Sequence, residues 1–370
     1  MNNSWLMVSV VPRLYPAIDG VGDYALSLAR QLRADFGIET HFVVGDSSWV
    51  GNNQLEGFHI TKVTARSAKS LLTELARANS VKAILLHYVG YGYAKRGCPF
   101  WLVEGLENWV HQHSEINLVT MFHEISASGP AWTSAFWLSA AQRYLVKRLF
   151  RLSDRILTSK QLYADILQDY SQGRFSDVPT LPVFSTVGEP SNLPDLSARQ
   201  RHLVIFGGQS RRNKVYKSSL EQLHQICQCL NIQQIFDIGP KLDSIPTHIC
   251  NVPITATGSL SSHEVSAILS GAFVGFFNYH PAFLGKSTIF AAYCAHRVLP
   301  VSAQMTSHVE DGLYPGRHYI LPNQYSIGLK SEISFQAIAD NACNWYQTHC
   351  LVRQAQVFAT YICKNSTIRN

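Results

Sequence analysis

The sequence predicts an α/β protein made of two consecutive doubly wound domains, each a mostly parallel sheet between layers of helix. Three observations carry this. Apolar, β-rich runs alternate with amphipathic helical stretches almost throughout. The chain has 370 residues, more than a single core comfortably holds. Its character changes over 176–198, "SDVPTLPVFSTVGEPSNLPDLSA", where four prolines and many small polar residues interrupt the alternation. Boundaries follow: 1–185 as the first domain, 186–198 as linker and 199–370 as the second, its C-terminal helix a candidate to pack back on the first.

In the first half the strand candidates are "WLMVSVV", "THFVVG", "AILLHYV", "INLVTMF" and "RILTS". Between the first two, "DGVGDYALSLARQL" carries Ala25, Leu28, Ala29 and Leu32 at helical spacing, so a glycine-rich turn leads into a helix. A second amphipathic helix covers 138–152. After the proline-rich stretch the alternation restarts with "RHLVIFG", a helix over "KSSLEQLHQICQCL", then "QQIFDIG", "SSHEVSAILSG", "GAFVGFFNY" and "VLPVSA". The tail over 334–363 reads as mostly helical.

Composition narrows the function classes. Hydrophobic residues make up 46% and charged residues 15%, an ordinary globular balance with apolar side chains enough for two cores. No run of about twenty apolar residues is present to span a bilayer. The opening apolar run stops at Pro12 and Arg13 without a basic leader, which reads as a first strand and not a signal peptide. Eight scattered cysteines include no pair of C-x2-C units, so a structural zinc site is not expected and reduced thiols in a cytoplasmic protein are the simplest reading. A net charge of +6 suits anionic ligands or an acidic membrane surface, while no nucleic-acid module is recognisable.

In doubly wound folds ligands lie beyond the carboxyl ends of the strands, so the loops there are the candidates. In the first, Gly20 and Gly22 let backbone approach a ligand at a helix start, and Asp23 is placed to cap that helix; a tight strand-to-helix turn explains the glycines equally well. The third glycine of a dinucleotide fingerprint is replaced by Ala25. His123 and Glu124 follow the strand "INLVTMF", where a ligand-facing or merely surface histidine fits. Gly90 and Gly92 stand among tyrosines, with packing the first reading and a sugar site the second. In "IFGGQSRRNKVYK", Arg211, Arg212, Lys214 and Lys217 crowd one loop, and four cations so close repel unless solvated or paired with an anion such as phosphate.

"AFLGKSTIF" has the tail of a P-loop, yet His280 takes the earlier glycine's place and Pro281 stiffens the loop, so nucleotide hydrolysis of that type is not expected. Lys286, Ser287 and Thr288 instead open a helix, where free N–H groups favour an anion; a plain helix cap is the alternative. Finally, Arg143, Lys147, Arg148 and Arg151 line one side of the 138–152 helix, opposite Leu145, Leu149 and Leu152, with Trp132, Phe136 and Trp137 nearby. A solvated face over a leucine stripe is the first reading, a membrane-surface patch the second.

Taken together, "DGVGDYALSLARQL", "FHE", "FGGQSRRNKVYK", "FLGKSTIFAAYCAHRVLPV" and "SHVEDGLYPGRHYIL" resemble, in order, the motifs of GT-B glycosyltransferases of the retaining, nucleotide-sugar-dependent family 4, in a bacterial or cyanobacterial branch. The resemblance spans both halves. It implies two Rossmann-like domains facing across a cleft, the first on the acceptor side and the second binding the nucleotide sugar. It implies that Gly20 and Gly22 sit under the diphosphate and that His123 faces the donor sugar. An Arg and a Lys six positions apart would hold the diphosphate; Lys214 fits with Gly208 in the arginine's place, and Arg211 with Lys217 fits with a shifted loop. Glu310, Asp311 and Gly312 match a loop after the Pro-Val strand. Candidate catalytic residues are thus His123 and Asp23, and candidate diphosphate-binding residues are Gly20, Gly22, Arg211, Arg212, Lys214, Lys217, Lys286, Ser287 and Thr288.

The sequence departs from that family at its Glu-x7-Glu motif. Ala292 stands at one carboxylate and Leu284 or Gly285 at the other, while Arg297 replaces a common glycine. Either another group grips the ribose, or the donor differs, or activity is lost. The expected activity is transfer of a sugar from a nucleotide-sugar co-substrate to a hydroxyl of a glycan or lipid-linked acceptor, in polysaccharide biosynthesis. No metal, no cofactor and no nucleic acid is expected, and the location is cytoplasmic, with peripheral contact at the inner membrane face. The alternatives are a nucleotide-sugar 2-epimerase and a non-catalytic GT-B binding partner.

Overall fold

The computed structural model describes residues 5–78, 80–126, 134–171, 175, 177–306, 308–325 and 332–363, and the structural statements below concern these. Trp132 lies outside the described residues, as does part of the stretch after His123. The chain divides into two compact units, residues 1–181 with 351–370, and residues 182–350.

The first unit's seven-stranded sheet comprises β1 (Trp5–Val11), β2 (Ile38–Val44), β3 (Gln54–Leu55), β4 (Phe58–Lys62), β5 (Ala83–Tyr88), β6 (Asn117–Phe122) and β7 (Arg155–Thr158). Their order is β3-β4-β2-β1-β5-β6-β7, parallel except for the β3–β4 pair. The central strands β5 and β6 are buried at every residue, which is why they read as continuous apolar runs. Helices α1 (Gly20–Phe36), α2 (Ala68–Ala76), α3 (Gly90–Tyr93), α4 (Phe100–Gln112), α5 (Ser134–Leu152) and α6 (Gln161–Ser171) complete the alternation. Val8, Val10, Ile84 and Leu86 share a core with Leu71 of α2, Leu102 of α4 and Leu145 of α5.

The second unit's six-stranded sheet comprises β8 (Gln200–Phe206), β9 (Gln234–Ile238), β10 (His248–Ile249), β11 (Val252–Gly258), β12 (Ala272–Phe277) and β13 (Leu299–Ser302). The order is β10-β11-β9-β8-β12-β13, with only the β10–β11 pair antiparallel. Its helices are α7 (Gln209–Ser218), α8 (Leu220–Cys229), α9 (Ser262–Gly271), α10 (Thr288–Ala295), α11 (Pro322–Tyr325) and α12 (Glu332–Gln347). Ser261 and Glu264 form a reciprocal capping box that starts α9. Leu203 and Ile205 pack with Val215, Leu223 and Ile226. The proline-rich 186–198 belongs to this unit, where Leu196 N donates to Gln336 Oε1 at 2.7 Å.

The last helix, α13 (Leu351–Cys363), is part of the first unit and packs on α1, β5 and β6. Buried Gln354 of α13 accepts from the Tyr24 hydroxyl of α1. Among the described residues no helix is long and apolar enough to cross a membrane.

Both sheets reverse their winding direction at the middle. In the first the chain runs outward from β1 through β2 to β4, then returns to start β5 on the other side of β1; in the second it does the same between β8 and β12. Such switch points leave a crevice at the carboxyl ends of the two diverging strands. Each crevice is floored by a buried tyrosine. Tyr93 Oη donates toward Val10 O and His87 O, both at 3.0 Å, and Tyr293 Oη toward Val204 O at 3.0 Å and Phe276 O at 3.3 Å. Each hydroxyl thus reaches a carbonyl on both of the diverging strands.

Candidate functional site

The second unit's switch point is a shallow pocket that opens directly to solvent. Phe206 at the end of β8 and Phe277 at the end of β12 line it with Ile289, while Arg211, Tyr279 and Ser287 bring polar groups to it. Apolar walls with a few convergent polar groups are the usual make-up of a small-molecule site. Sequence reading placed Arg211 and Ser287 in separate loops; folding brings both to one pocket.

The four cations of "SRRNKVYK" do not crowd a loop. They lie on α7, and the connection from β8 is only Gly207 and Gly208. Gly207 has φ +130°, and a Cβ there would sit 2.6 Å from Ile289, so the tight turn needs glycine. Gly208 is the N-cap and offers no side-chain bond to the first amides of α7. This ten-residue helix therefore presents an N-terminus uncapped by side chains beside the pocket, the electrostatic arrangement that favours an anion.

Arg212 and Arg211, though adjacent, have different environments. Arg212 is 1% exposed and is engaged inward: its guanidinium pairs with Asp237 Oδ1, donates to Gly207 O at 2.8 Å and reaches Pro240 O. Tyr216 Oη donates to the other Asp237 oxygen at 2.8 Å. Burial pushes the Asp237 carboxyl above its usual range even so, with Tyr216 and Arg212 pulling it down. Arg212 thus lines the pocket with its guanidinium engaged inward by Asp237. Arg211 is exposed, its guanidinium stacked over the Tyr279 ring at 4.3 Å. Lys214 and Lys217 are exposed further along α7. Asp237, Asn278 and Tyr279 escaped sequence reading; a carboxylate inside the apolar run "QQIFDIG" was the one available signal of a buried partner.

At the other wall Ser287 is the N-cap of α10, its Oγ accepting from Phe290 N at 3.2 Å, with Thr288 the first helical residue. That leaves the Ser287 hydroxyl proton able to donate elsewhere. Lys286 ends the 3₁₀ turn Pro281–Lys286, its Nζ 5.9 Å from the Phe283 ring centroid. Asn278 Nδ2 donates to Ser219 Oγ at 2.6 Å, tying the end of β12 to the start of α8.

The departures from the resembled motif also have places in the fold. Ala292 is fully buried in α10 and Leu284 is 1% exposed, so neither position faces open solvent. Arg297 has φ +47°, in the left-handed region that favours glycine, and its side chain is held by Asp340. Asp311 and Gly312 also have positive φ, and Asp311 O accepts from Trp345 Nε1 at 2.8 Å.

The first unit's switch point has different chemistry. Asp19, not Asp23, caps α1: it has extended backbone angles, and its Oδ1 accepts from Val21 N and Gly22 N, both at 3.0 Å. A cap residue must precede the helix, and Asp23 already lies in its first turn. Arg13 pairs with Asp19 at 3.3 Å and with Asp46 at 3.8 Å. Asp23 is exposed but crowded: the atoms around it, then the charge of Asp19, push its carboxyl up to about 6, against Arg30. A Cβ on Gly22 would lie 2.1 Å from Arg13 O, so this glycine is required by the protein's own backbone; Gly20 has open space.

His123 directly follows β6, and its Nε2 meets His87 Nδ1 at 3.1 Å with the rings stacked and Tyr24 edge-on to both. Complete burial, then the neighbouring His123, holds His87 well below the usual imidazole range, so its ring is neutral. Its Nε2 finds no partner among the described residues. His87 is a member of this cluster that sequence reading missed, because it sits inside a strand. Gly90 and Gly92 serve packing: added Cβ atoms would meet Gly97 O at 2.6 Å and the Pro12 ring at 2.8 Å.

No family model matches the chain, and no curated protein matches it in sequence. Solved structures do share its fold. An alpha-glucosyltransferase in complex with UDP is 11% identical with a TM-score of 0.57, the match covering 96% of this chain and 99% of that one. A putative UDP-N-acetylglucosamine 2-epimerase from Listeria monocytogenes is 10% identical with a TM-score of 0.61, covering 96% and 95%. OtsA in its apo form is 9% identical with a TM-score of 0.60, covering 99% and 100%. The chain thus has the GT-B fold of two Rossmann-like units, a fold these glycosyltransferases share with an epimerase.

Proposed function

We propose that the protein is a glycosyltransferase that takes its sugar from a nucleotide-sugar donor, and that the second unit's pocket holds the donor diphosphate. The observation that carries this is the convergence of Arg211, the N-terminus of α7 and Ser287 on one pocket at the β8/β12 switch point. Solved structures of this fold include complexes with UDP and UDP-glucose, which supports the same class of donor here.

Chemically, cleavage of the bond between sugar and phosphate builds negative charge on the leaving diphosphate. Arg211 would stabilise that charge as a charge-assisted donor, with the first amides of α7 and the Ser287 hydroxyl beside it. Lys214, one turn along α7, and Lys286 and Thr288, at the start of α10, complete the proposed set, with Lys217 outermost. A departing phosphate oxygen is basic enough to take the acceptor hydroxyl's proton, so the scheme needs no dedicated base. In the first unit, the proposed roles of His123 and Asp23 rest on the resemblance to family 4, as do retention of configuration, metal independence and a glycan or lipid-linked acceptor.

The test is binding of UDP-, GDP-, ADP- and dTDP-sugars by calorimetry, on the natural chain and on Arg211→Ala. Affinity for one nucleotide class that falls about ten- to a hundred-fold in the variant supports the pocket assignment. Product formed from the donor without any acceptor would replace transfer by epimerisation. Absence of binding to every donor would favour a non-catalytic role.

A further inference from the structure

We propose that the outward face of α5, in the first unit, is a docking surface for an anionic lipid bilayer. At 100° per residue, Phe136, Lys147, Ala140, Arg151, Tyr144 and Trp137 fall within about 100° of the helix circumference, with Arg143 at its edge. The opposite side carries Leu145, Val146 and Leu149, all fully buried. The aromatic members stand out in solvent: Trp137 is 73% exposed, Tyr144 55% and Phe136 47%, with the Phe136 and Trp137 rings in edge contact at 5.5 Å. Three large aromatic side chains left exposed on one helix face mark a surface to be covered.

Charge identifies what covers it. α5 contains no acidic residue. The acidic groups around it come from the packed helices: Glu107 of α4 pairs with Arg148 at the rim of the face, Glu104 lies near that pair, and Asp169 of α6 lies near Tyr170. Lys147 lies over the Tyr170 ring at 4.6 Å, and Arg143 and Arg151 are exposed. Exposed Trp, Tyr and Phe interleaved with Arg and Lys match the headgroup boundary of a bilayer. There the rings enter the interface, and long cationic stems keep their charged ends at the phosphates. The inference concerns a surface separate from the pocket of the second unit and does not depend on sugar transfer.

The experiment is co-sedimentation of the full chain with phosphatidylcholine vesicles and with vesicles containing phosphatidylglycerol as one lipid in three. The proposal expects binding to the anionic vesicles that weakens with added salt and is much poorer on phosphatidylcholine alone. The combined R143Q/K147Q/R151Q variant should lose on the order of a hundred-fold in affinity, about five-fold for each cation near the surface. Trp137→Ser should weaken binding separately, with melting of both variants unchanged as the check on folding. Equal binding to both vesicle types, no vesicle binding, or unaltered binding by both variants would overturn the proposal. So would tight binding to a mixed-sequence DNA duplex in place of vesicles.

Discussion

The two switch points share a floor and differ in what stands above it. In each, a buried tyrosine hydroxyl, Tyr93 or Tyr293, bridges carbonyls of two diverging strands. Above Tyr93 the groups are the carboxylates of Asp19 and Asp46 around Arg13 and a buried pair of histidines. Above Tyr293 there is an open pocket with a stacked arginine and two helix N-termini. In the first crevice Arg13 is paired with Asp19 and Asp46, whereas in the second Arg211 stacks on Tyr279. Equal topology thus permits different chemistry, because the fold supplies the crevice and only the side chains decide its charge.

The largest effect that would test this comparison concerns the brace of the second crevice. Arg212→Ala leaves Asp237 buried without its cation and should lower the stability of the second unit by about 3–5 kcal/mol, read as an early urea transition. The neighbouring Arg211→Ala should change stability by less than about 0.5 kcal/mol while weakening nucleotide binding. If the two variants behaved alike, the division between brace and ligand group would be wrong.

Next in size are the paired floors. Tyr93→Phe and Tyr293→Phe each remove a buried hydroxyl that bridges two strands, and each should cost about 1–3 kcal/mol. Denaturation of the two variants side by side checks whether the floors are equivalent; a large loss in one alone would break the parallel.

The smallest effect is a pH dependence that arises at Asp23 in the first crevice. The Asp23 carboxyl is raised to about 6 in the folded chain from 3.8, so folding favours its protonated form. Its contribution is fully present below 3.8 and is lost as pH rises through about 6. Asp23→Asn should flatten that part of the melting-temperature profile; an unchanged slope would assign it to another group.

Local pattern was enough for the central framework. "WLMVSVV" is β1 residue for residue, and the apolar runs of β5, β6 and β12 were readable because strands covered on both faces show continuous hydrophobicity. The edge strands β3 and β10 and their neighbours β4 and β11 were missed; β11 is half exposed and β10 is two residues long, so neither leaves a periodic signal. The helical state of "QSRRNKVYKS" was hidden by its own glycine pair and charge. Which cation faces a ligand depended on Asp237, 25 residues from Arg212, and on Tyr279, far along the chain from Arg211. Burial and charge pairing join groups distant in sequence, so the loops could be found from pattern alone while the role of each side chain within them came only from the folded arrangement.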